Sequence, residues 1–399
     1  MSKYRRALER LVDASAKERI AVSAAALALS ILVGALVVFV SGIVATCASP
    51  AFSVLGVDVC YDPINVFTEL FLGALGHPEQ GGWSPTNYRI AIALQQTTLL
   101  IFTGLAVAVS FRAGLFNIGV QGQLVFGALA AAVATIWAGA IAPTGILGTV
   151  FLVPLGLLAG AIAGGLYGAL PGALKAYGGA NEVITTIMLN FIASNVAYVL
   201  VSTFLMPESS QLVQTAVIPA AAKIPNVPFI GFEARDAFSL LALLGALAFI
   251  TGIAYLLAKT SFGYDIRTSG LQEEAAAYSG VDAKRTTVLS MALSGALAGV
   301  GGAVWVLMVK GRFLTGLPSL GFDGITVSIL AGNNPIGVGA AAFLFGVLKS
   351  GTIAVDFSTD VPVELVDVLR GLIILFVAMP EFFRLIGKRY LGLGGEQRA

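Results

Sequence analysis

The chain has 399 residues, 57% of them hydrophobic and 11% charged, with a net charge of +1 and a mean hydropathy of +0.90. Soluble domains carry about 25% charged residues, so a soluble core is excluded and an all-α, polytopic membrane protein is expected. The balanced charge shows no basic block for nucleic acid, and one histidine, His77, is too few for a histidine metal site or a triad; neither a metal nor a cofactor is expected.

Met1 to Arg19 is basic, and Ile20 to Thr46 is an apolar run of 27 residues. That suits a tilted span and is too long for a cleavable signal peptide. Ala48 to Asn87 contains no Lys or Arg. The positive-inside rule therefore predicts a cytoplasmic N-terminus and puts this loop outside. Cys47 and Cys60 flank the loop's start: they are either a disulfide in an oxidising compartment or two unrelated thiols. Pro63 to Gly76 reads as an amphipathic helix at the outer interface.

Further spans are expected at Tyr88–Ser110, Gly114–Ala138, Gly148–Leu170, Val183–Leu205, Ala237–Ala258 and Val288–Val309. Pro207 to Asp236 forms a second outer loop, too rich in proline for a helix. Val363 to Met379 is the last inward span, ahead of a cytoplasmic tail with Arg384, Lys388 and Arg389. Between them, Gly324–Ala331 and Ile336–Leu348 flank a polar break, Gly332-Asn333-Asn334-Pro335. They read as a broken or re-entrant pair, tolerated where protein or water covers the backbone. The count is eight full spans plus this pair, or ten if both segments cross. The expected organisation is a cytoplasmic segment 1–19, a membrane domain 20–380 and a cytoplasmic tail 381–399.

Lys259 to Thr287 is hydrophilic on the cytoplasmic side. Its centre, Gln272 to Tyr278, is a short helix of good formers, with Gly280 as its stop. It is either an ordinary loop or a handle for another protein.

Polar groups at membrane depth are costly and count as candidates for a solute path. Three clusters qualify. Asn117, Gln121 and Gln123 either line the path or join helices, and their amides match the donors and acceptors of neutral polar solutes. Glu182, Thr186 and Asn190 recur at four-residue spacing, on one helix stripe behind Asn181, as gate, cap or ligand contacts. Asn333 and Asn334 sit in the polar break, where turn chemistry alone would also explain them. Glu364, Asp367 and Arg370 read as a salt-bridged face. No span carries a central acidic pair, which weighs against the alternative of a stand-alone secondary transporter or facilitator. No GxxxxGK[ST] phosphate loop occurs, so an ATPase, where one drives transport, is another polypeptide.

Three strings then carry a resemblance. Gly270-Leu271-Gln272-Glu273-Glu274-Ala275-Ala276-Ala277-Tyr278-Ser279-Gly280-Val281 resembles the cytoplasmic coupling motif of ABC importer permeases. It is similar to the branch handling branched-chain amino acids, simple sugars and nucleosides, G-x-N-x-x-A-A-x-Y-x-G-I, with Gln272 for Asn and Val281 for Ile. Gly114-Leu115-Phe116-Asn117-Ile118-Gly119-Val120-Gln121-Gly122-Gln123 agrees, with Gln121 for the usual Glu. So does Gly179-Ala180-Asn181-Glu182-Val183-Ile184-Thr185-Thr186-Ile187-Met188-Leu189-Asn190, most like the nucleoside-type permeases. The resemblance covers roughly Tyr88 to Met379. It implies two ATP-binding subunits inside, a second permease subunit of different sequence and an extracytoplasmic solute-binding lipoprotein. It also implies that Gly270, Gln272, Glu273, Glu274, Ala276, Tyr278 and Gly280 couple to the ATPase and catalyse nothing themselves. The expected solute is a neutral, hydroxyl-rich small molecule, a nucleoside or a simple sugar such as glucose or ribose.

Overall fold

A computed structural model describes residues 16–54, 56–225, 232 and 237–390. The basic start before Ala16, most of the segment between Pro225 and Ala237, and the tail beyond Tyr390 lie outside the described residues. Among the described residues, eight helices are long and apolar enough to cross a membrane: 25–44, 88–112, 120–139, 146–178, 182–205, 240–259, 283–310 and 335–358. The protein is thus a polytopic all-α membrane protein. The expected last span lies inside a further helix, Val363–Tyr390. The chain divides into two compact units, residues 1–85 with 347–399, and residues 86–346.

In the first unit, α1 (Ala16–Val44) leads into a hairpin of β1 (Phe52–Val54) and β2 (Val57–Val59), paired antiparallel with Phe52 opposite Val59. Cys47 and Cys60 form a disulfide, which settles the choice left open by the sequence. Helix α2 (Pro63–Phe71) starts where the Asp62 carboxylate accepts from the Ile64 N–H at 2.8 Å. Pro63, lacking an N–H, fits the first helical position. Val66 and Leu70 are buried while Ile64 is exposed, so the helix is amphipathic as expected. Its buried face meets protein: a side chain at Gly351 would strike the Leu70 carbonyl. The helix Val363–Tyr390 packs on α1.

The second unit contains α3 (Tyr88–Arg112), α4 (Val120–Gly139), α5 (Ile146–Gly178), α6 (Glu182–Leu200), α7 (Leu240–Lys259), α8 (Ser261–Leu271), α9 (Glu273–Tyr278), α10 (Ala283–Val304) and α11 (Leu320–Leu330). Helix α12 (Pro335–Ser358) begins in this unit and ends in the first, ahead of α13 (Val363–Tyr390). Helices α3 and α10 are the interior: 83% and 78% of their apolar windows are buried, against 22% for α5 and α6. Hydrophobicity drives helices into lipid but does not select their neighbours there, so close packing must. Gly156, Gly160, Gly164, Gly168 and Gly172 repeat every four residues along α5. A side chain at Gly164 would collide with Gly295 and Gly299 of α10, and one at Gly299 with Gly160. The stripe lets the two backbones touch.

The hydrophilic stretch 259–287 is mostly helix. It comprises α8, α9 and the first turn of α10; Thr260 and Asp282 cap α8 and α10, while Gln272 ahead of α9 makes no side-chain cap. Thr260 accepts from the Gly263 N–H at 3.0 Å, and Asp282 from the Arg285 N–H at 3.0 Å. The expected short helix runs from Glu273, with Gln272 extended ahead of it.

Among its described residues the proline-rich loop 207–236 is non-helical apart from a turn at Ala220–Ala222. Its Thr215 and Ile218 N–H groups donate to the carbonyls of Phe313 and Gly311 at 3.0 and 2.9 Å. The segment after α10 is therefore held at the Lys310 end of the unit. The break at Asn333 is held at the opposite end, because Arg112 Nε donates to the Asn333 carbonyl at 2.9 Å. Between these points the chain runs partly extended and partly as the 11-residue α11. The return, α12, has 24 residues, longer than the expected Ile336–Leu348 because Gly351 and Ser350 pack inside it without breaking the helix. Among the described residues α12 is long and apolar enough to cross a membrane, whereas α11 is a shorter apolar helix.

Candidate functional site

Two groups of residues build the site, an exposed elbow and a buried amide network, and one backbone contact joins them. In the elbow, Gln272 turns the chain between α8 and α9 with extended backbone (φ −159, ψ 110). Glu273 and Glu274 occupy the first turn of α9, where carboxylates suit the helix dipole. Gly280 closes the helix at φ +88, left-handed backbone that a residue with a Cβ adopts only under strain. Ala276 alone of this helix is buried. Leu271 and Tyr278 are 89% and 94% exposed, and Gln272, Glu273 and Glu274 are also exposed. A large aromatic and a leucine held in full contact with solvent form a surface that nothing among the described residues covers.

The elbow rests on the end of α3. A Cβ on Gly270 would strike the Arg112 carbonyl and come within 2.9 Å of the Gly114 nitrogen. Gly114, at φ +72, turns the chain directly into Leu115, Phe116 and Asn117. The end of α8 is therefore in backbone contact with the stretch of chain that carries the amide network.

Asn117 is fully buried, Gln123 is 1% exposed and Gln121 is 8% exposed. Asn117 and Gln123 exchange hydrogen bonds between their amides, at 3.0 and 3.2 Å. Asn117 also donates to Ser294 Oγ at 2.9 Å and accepts from the Gly119 N–H at 3.0 Å. Ser294 in turn donates to the Ala106 carbonyl at 2.5 Å. Gln121 spans α4 to α11: its amide donates to the Pro318 carbonyl at 3.0 Å and its oxygen accepts from Gly321 N–H at 2.8 Å. Asn190 of α6 reads the start of α4 in the same two-handed way, donating to the Ile118 carbonyl at 2.9 Å and accepting from Gly122 N–H at 2.8 Å. Thr186 donates to the Glu182 carbonyl at 2.6 Å. In this conformation these groups join helices.

The remaining candidates lie at an edge. Asn181 caps α6, accepting from Val183 and Ile184 N–H at 2.9 and 3.2 Å. Glu182 pairs with Lys175 at 2.8 Å. Asn333, at φ +56, accepts from Ser328 Oγ at 2.9 Å, and Asn334 accepts from Ile336 N–H at 3.1 Å. Both form the turn, and they are separate from the Asn117 network. Arg370 and Asp367 form the expected ion pair at 3.2 Å. Sequence reading missed Ser294 and Arg112. Ser290 and Ser294 stand four apart in a Gly/Ala helix, which was the available signal for Ser294. A cavity of ≈ 380 Å³ between α3, α5, α7 and α10 is lined by Phe102, Pro154, Leu157, Phe249 and Val304. Its walls are apolar except at Thr149, and it contains none of the candidate residues.

Against this geometry, the family model described as "Branched-chain amino acid transport system / permease component" matches residues 89–378. The chain belongs to this permease family. Guanosine ABC transporter permease protein NupP of Bacillus subtilis (strain 168) is 35% identical over 75% of this chain and 83% of its own length. Nucleoside ABC transporter permease protein NupB of Lactococcus lactis subsp. cremoris (strain MG1363) is 33% identical over 80% and 84%. Glucose ABC transporter permease protein TsgB13 of Haloferax volcanii is 30% identical over 84% and 85%. The permease is therefore an ABC transport component and a multi-pass protein of the cell membrane.

Proposed function

We propose that this permease imports a neutral, hydroxyl-rich solute, driven by ATP hydrolysis on separate subunits. Nucleosides are the solute class favoured by the guanosine and nucleoside permeases it resembles, and a simple sugar is the second reading, favoured by its similarity to a glucose permease. The observation that carries the coupling is the elbow: α9 is exposed on almost every residue, yet α8 beside it is in backbone contact with the chain leading to Asn117. A surface apolar at Leu271 and Tyr278 and acidic at Glu273 and Glu274 fits a groove on a partner protein.

In this reading the elbow and both termini are cytoplasmic, the segment 47–85 is outside, and residues 20–380 form the translocation domain. The working transporter comprises two ATP-binding subunits, this permease with a second of different sequence, and a solute-binding lipoprotein outside. This chain binds no ATP; it converts ATPase closure into movement of α3 and α4. Neutral amides and the absence of a central acidic pair in any span favour an uncharged solute over a carboxylate.

The test is uptake of labelled guanosine, adenosine, ribose and glucose by the assembled transporter in proteoliposomes. Uptake should require ATP inside and the ATPase subunits, and nucleosides should compete better than sugars. Uptake that persists without the ATPase would overturn the reading.

A further inference from the structure

The amides expected to line a path are bonded within the protein, whereas Asn195 stands exposed at membrane depth. Six Asn or Gln residues lie in the candidate spans, namely Gln95, Gln96, Gln121, Gln123, Asn190 and Asn195. Only Asn195 is exposed. It stands near the middle of the span 182–205. Its amide nitrogen bonds the Phe191 carbonyl one turn back, at 2.8 Å, and its oxygen accepts nothing among the described residues.

Helix α6 has two opposed stripes. Thr186, Asn190, Ala193, Ala197 and Val201 are buried and seat the helix on α4. The other stripe is exposed: Ile184, Met188, Phe191, Asn195, Tyr198 and Ser202. An unpartnered amide oxygen in the centre of hydrocarbon is costly, so polar residues within spans face protein or a water-filled cavity. A purely lipid-facing stripe would gain nothing from Asn195, Tyr198 and Ser202 in succession. No charged residue lies between Val183 and Met206, so this wall selects no ion.

We infer that the Asn195 stripe of α6 is the wall of the solute conduit, closed on its far side by the second permease subunit. Asn195 offers both donor and acceptor to hydroxyls or to the edge of a base, while Phe191 and Tyr198 offer ring faces for stacking on a planar base or a sugar face. Met188, flexible and apolar, narrows the cytoplasmic half. The solute class here rests on the function proposed above. The conduit itself rests only on that proposal's second permease subunit.

The chain's two cysteines are joined to each other, so an introduced cysteine is its only free thiol. Asn195→Cys and Tyr198→Cys are made in the complete transporter and exposed to a charged methanethiosulfonate in whole cells and in inverted vesicles. The reagent needs thiolate, and thiolate needs water. Both positions should react, from at least one side, about tenfold or more faster than Leu158→Cys on the exposed face of α5. No reaction from either side, or an oxidative cross-link to the second permease in place of labelling, would overturn the conduit. Slowing of labelling by guanosine supports the solute class; labelling that guanosine leaves unchanged counts against that class and leaves the conduit standing. In transport, Asn195→Leu should raise KM or lower uptake about tenfold, with Asn195→Gln recovering most of it, since one lost polar partner discriminates at that scale or above. Wild-type uptake by Asn195→Leu would overturn the assignment.

Discussion

The two hydrophilic interruptions of this chain, 47–85 and 259–287, differ in how completely they are finished. The first is tied to itself at every turn. A disulfide joins Cys47 to Cys60, Asp62 caps α2, Trp83 donates to the Leu75 carbonyl at 2.8 Å, and His77 bridges Glu69 and Glu79. The second has good caps but almost no cover: α9 buries only Ala276 and presents Leu271 and Tyr278 to solvent. A loop that needs only to survive is cross-linked and self-satisfied. The loop proposed to dock on another polypeptide keeps its apolar and acidic groups outward and is packed from behind at Gly270.

The sharpest way to break that contrast is at the stiffener. Gly270→Val drives a branched side chain into the Arg112 carbonyl, and such overpacking costs about 1–3 kcal/mol. Uptake should be lost, while binding of solute to the external binding protein is unchanged; full uptake would show that the Gly270–Gly114 contact transmits nothing. Next is the cross-link. Cys47→Ser with Cys60→Ser opens a loop with a sequence separation of 13. Thermal unfolding should register a loss of about 3 kcal/mol on the loop-entropy estimate, with the elbow's coupling to ATP intact. A coupling defect without a stability defect would invert the comparison. Third, Glu273→Ala with Glu274→Ala should change stability by no more than about 0.5 kcal/mol, as for exposed sites. ATP-coupled uptake should fall about tenfold, equivalent to about 1.4 kcal/mol of lost coupling. Uptake at the wild-type level would remove these carboxylates from the interface.

Much of this was legible because membrane helices declare themselves by length and charge. The spans from Tyr88 to Val309 fall where the apolar runs lie, except that the helix expected from Gly114 starts at Val120, and the Gly280 stop fell where left-handed backbone requires glycine. The α12 helix continues past the expected end at Leu348 to Ser358, because helix length depends on backbone hydrogen bonds that the polar residues there do not interrupt. Four-residue spacing correctly put Thr186 and Asn190 on one stripe. It could not say that the stripe faces α4, because period reports which residues share a face and not what that face meets. The same limit hid Asn195: in the sequence it is one more polar residue in an apolar run, and only its exposure separates it from Asn190.

The smallest expected effect concerns His77 in the finished loop. Burial disfavours its charge, but the hydrogen bond from Glu79 and the charge of Glu69 outweigh this and raise its pKa above the ordinary 6.5. Its Nδ1 lies 2.9 Å from Glu79 and its Nε2 3.2 Å from Glu69. A group with a raised folded pKa lends stability that is fully present below its unfolded value and is lost as pH rises through the folded one. The bridge should therefore hold at pH 6 and loosen as the pH rises beyond 6.5 and through the folded pKa, by roughly 0.2–1 kcal/mol, the scale of solvent-screened pairs. The Glu79 carboxylate, held below its ordinary 4.5 first by its own backbone N–H and then by His77, sets the lower edge: its share is lost as pH falls through its own folded pKa. As the chain's only histidine, His77 gives a single imidazole resonance to titrate, and a midpoint at or below 6.5 would refute the bridge. His77→Gln should abolish the pH dependence of amide protection at residue 77, whose N–H donates to the Leu72 carbonyl at 2.8 Å. Uptake should be unaltered, because the energy of this loop is spent within it.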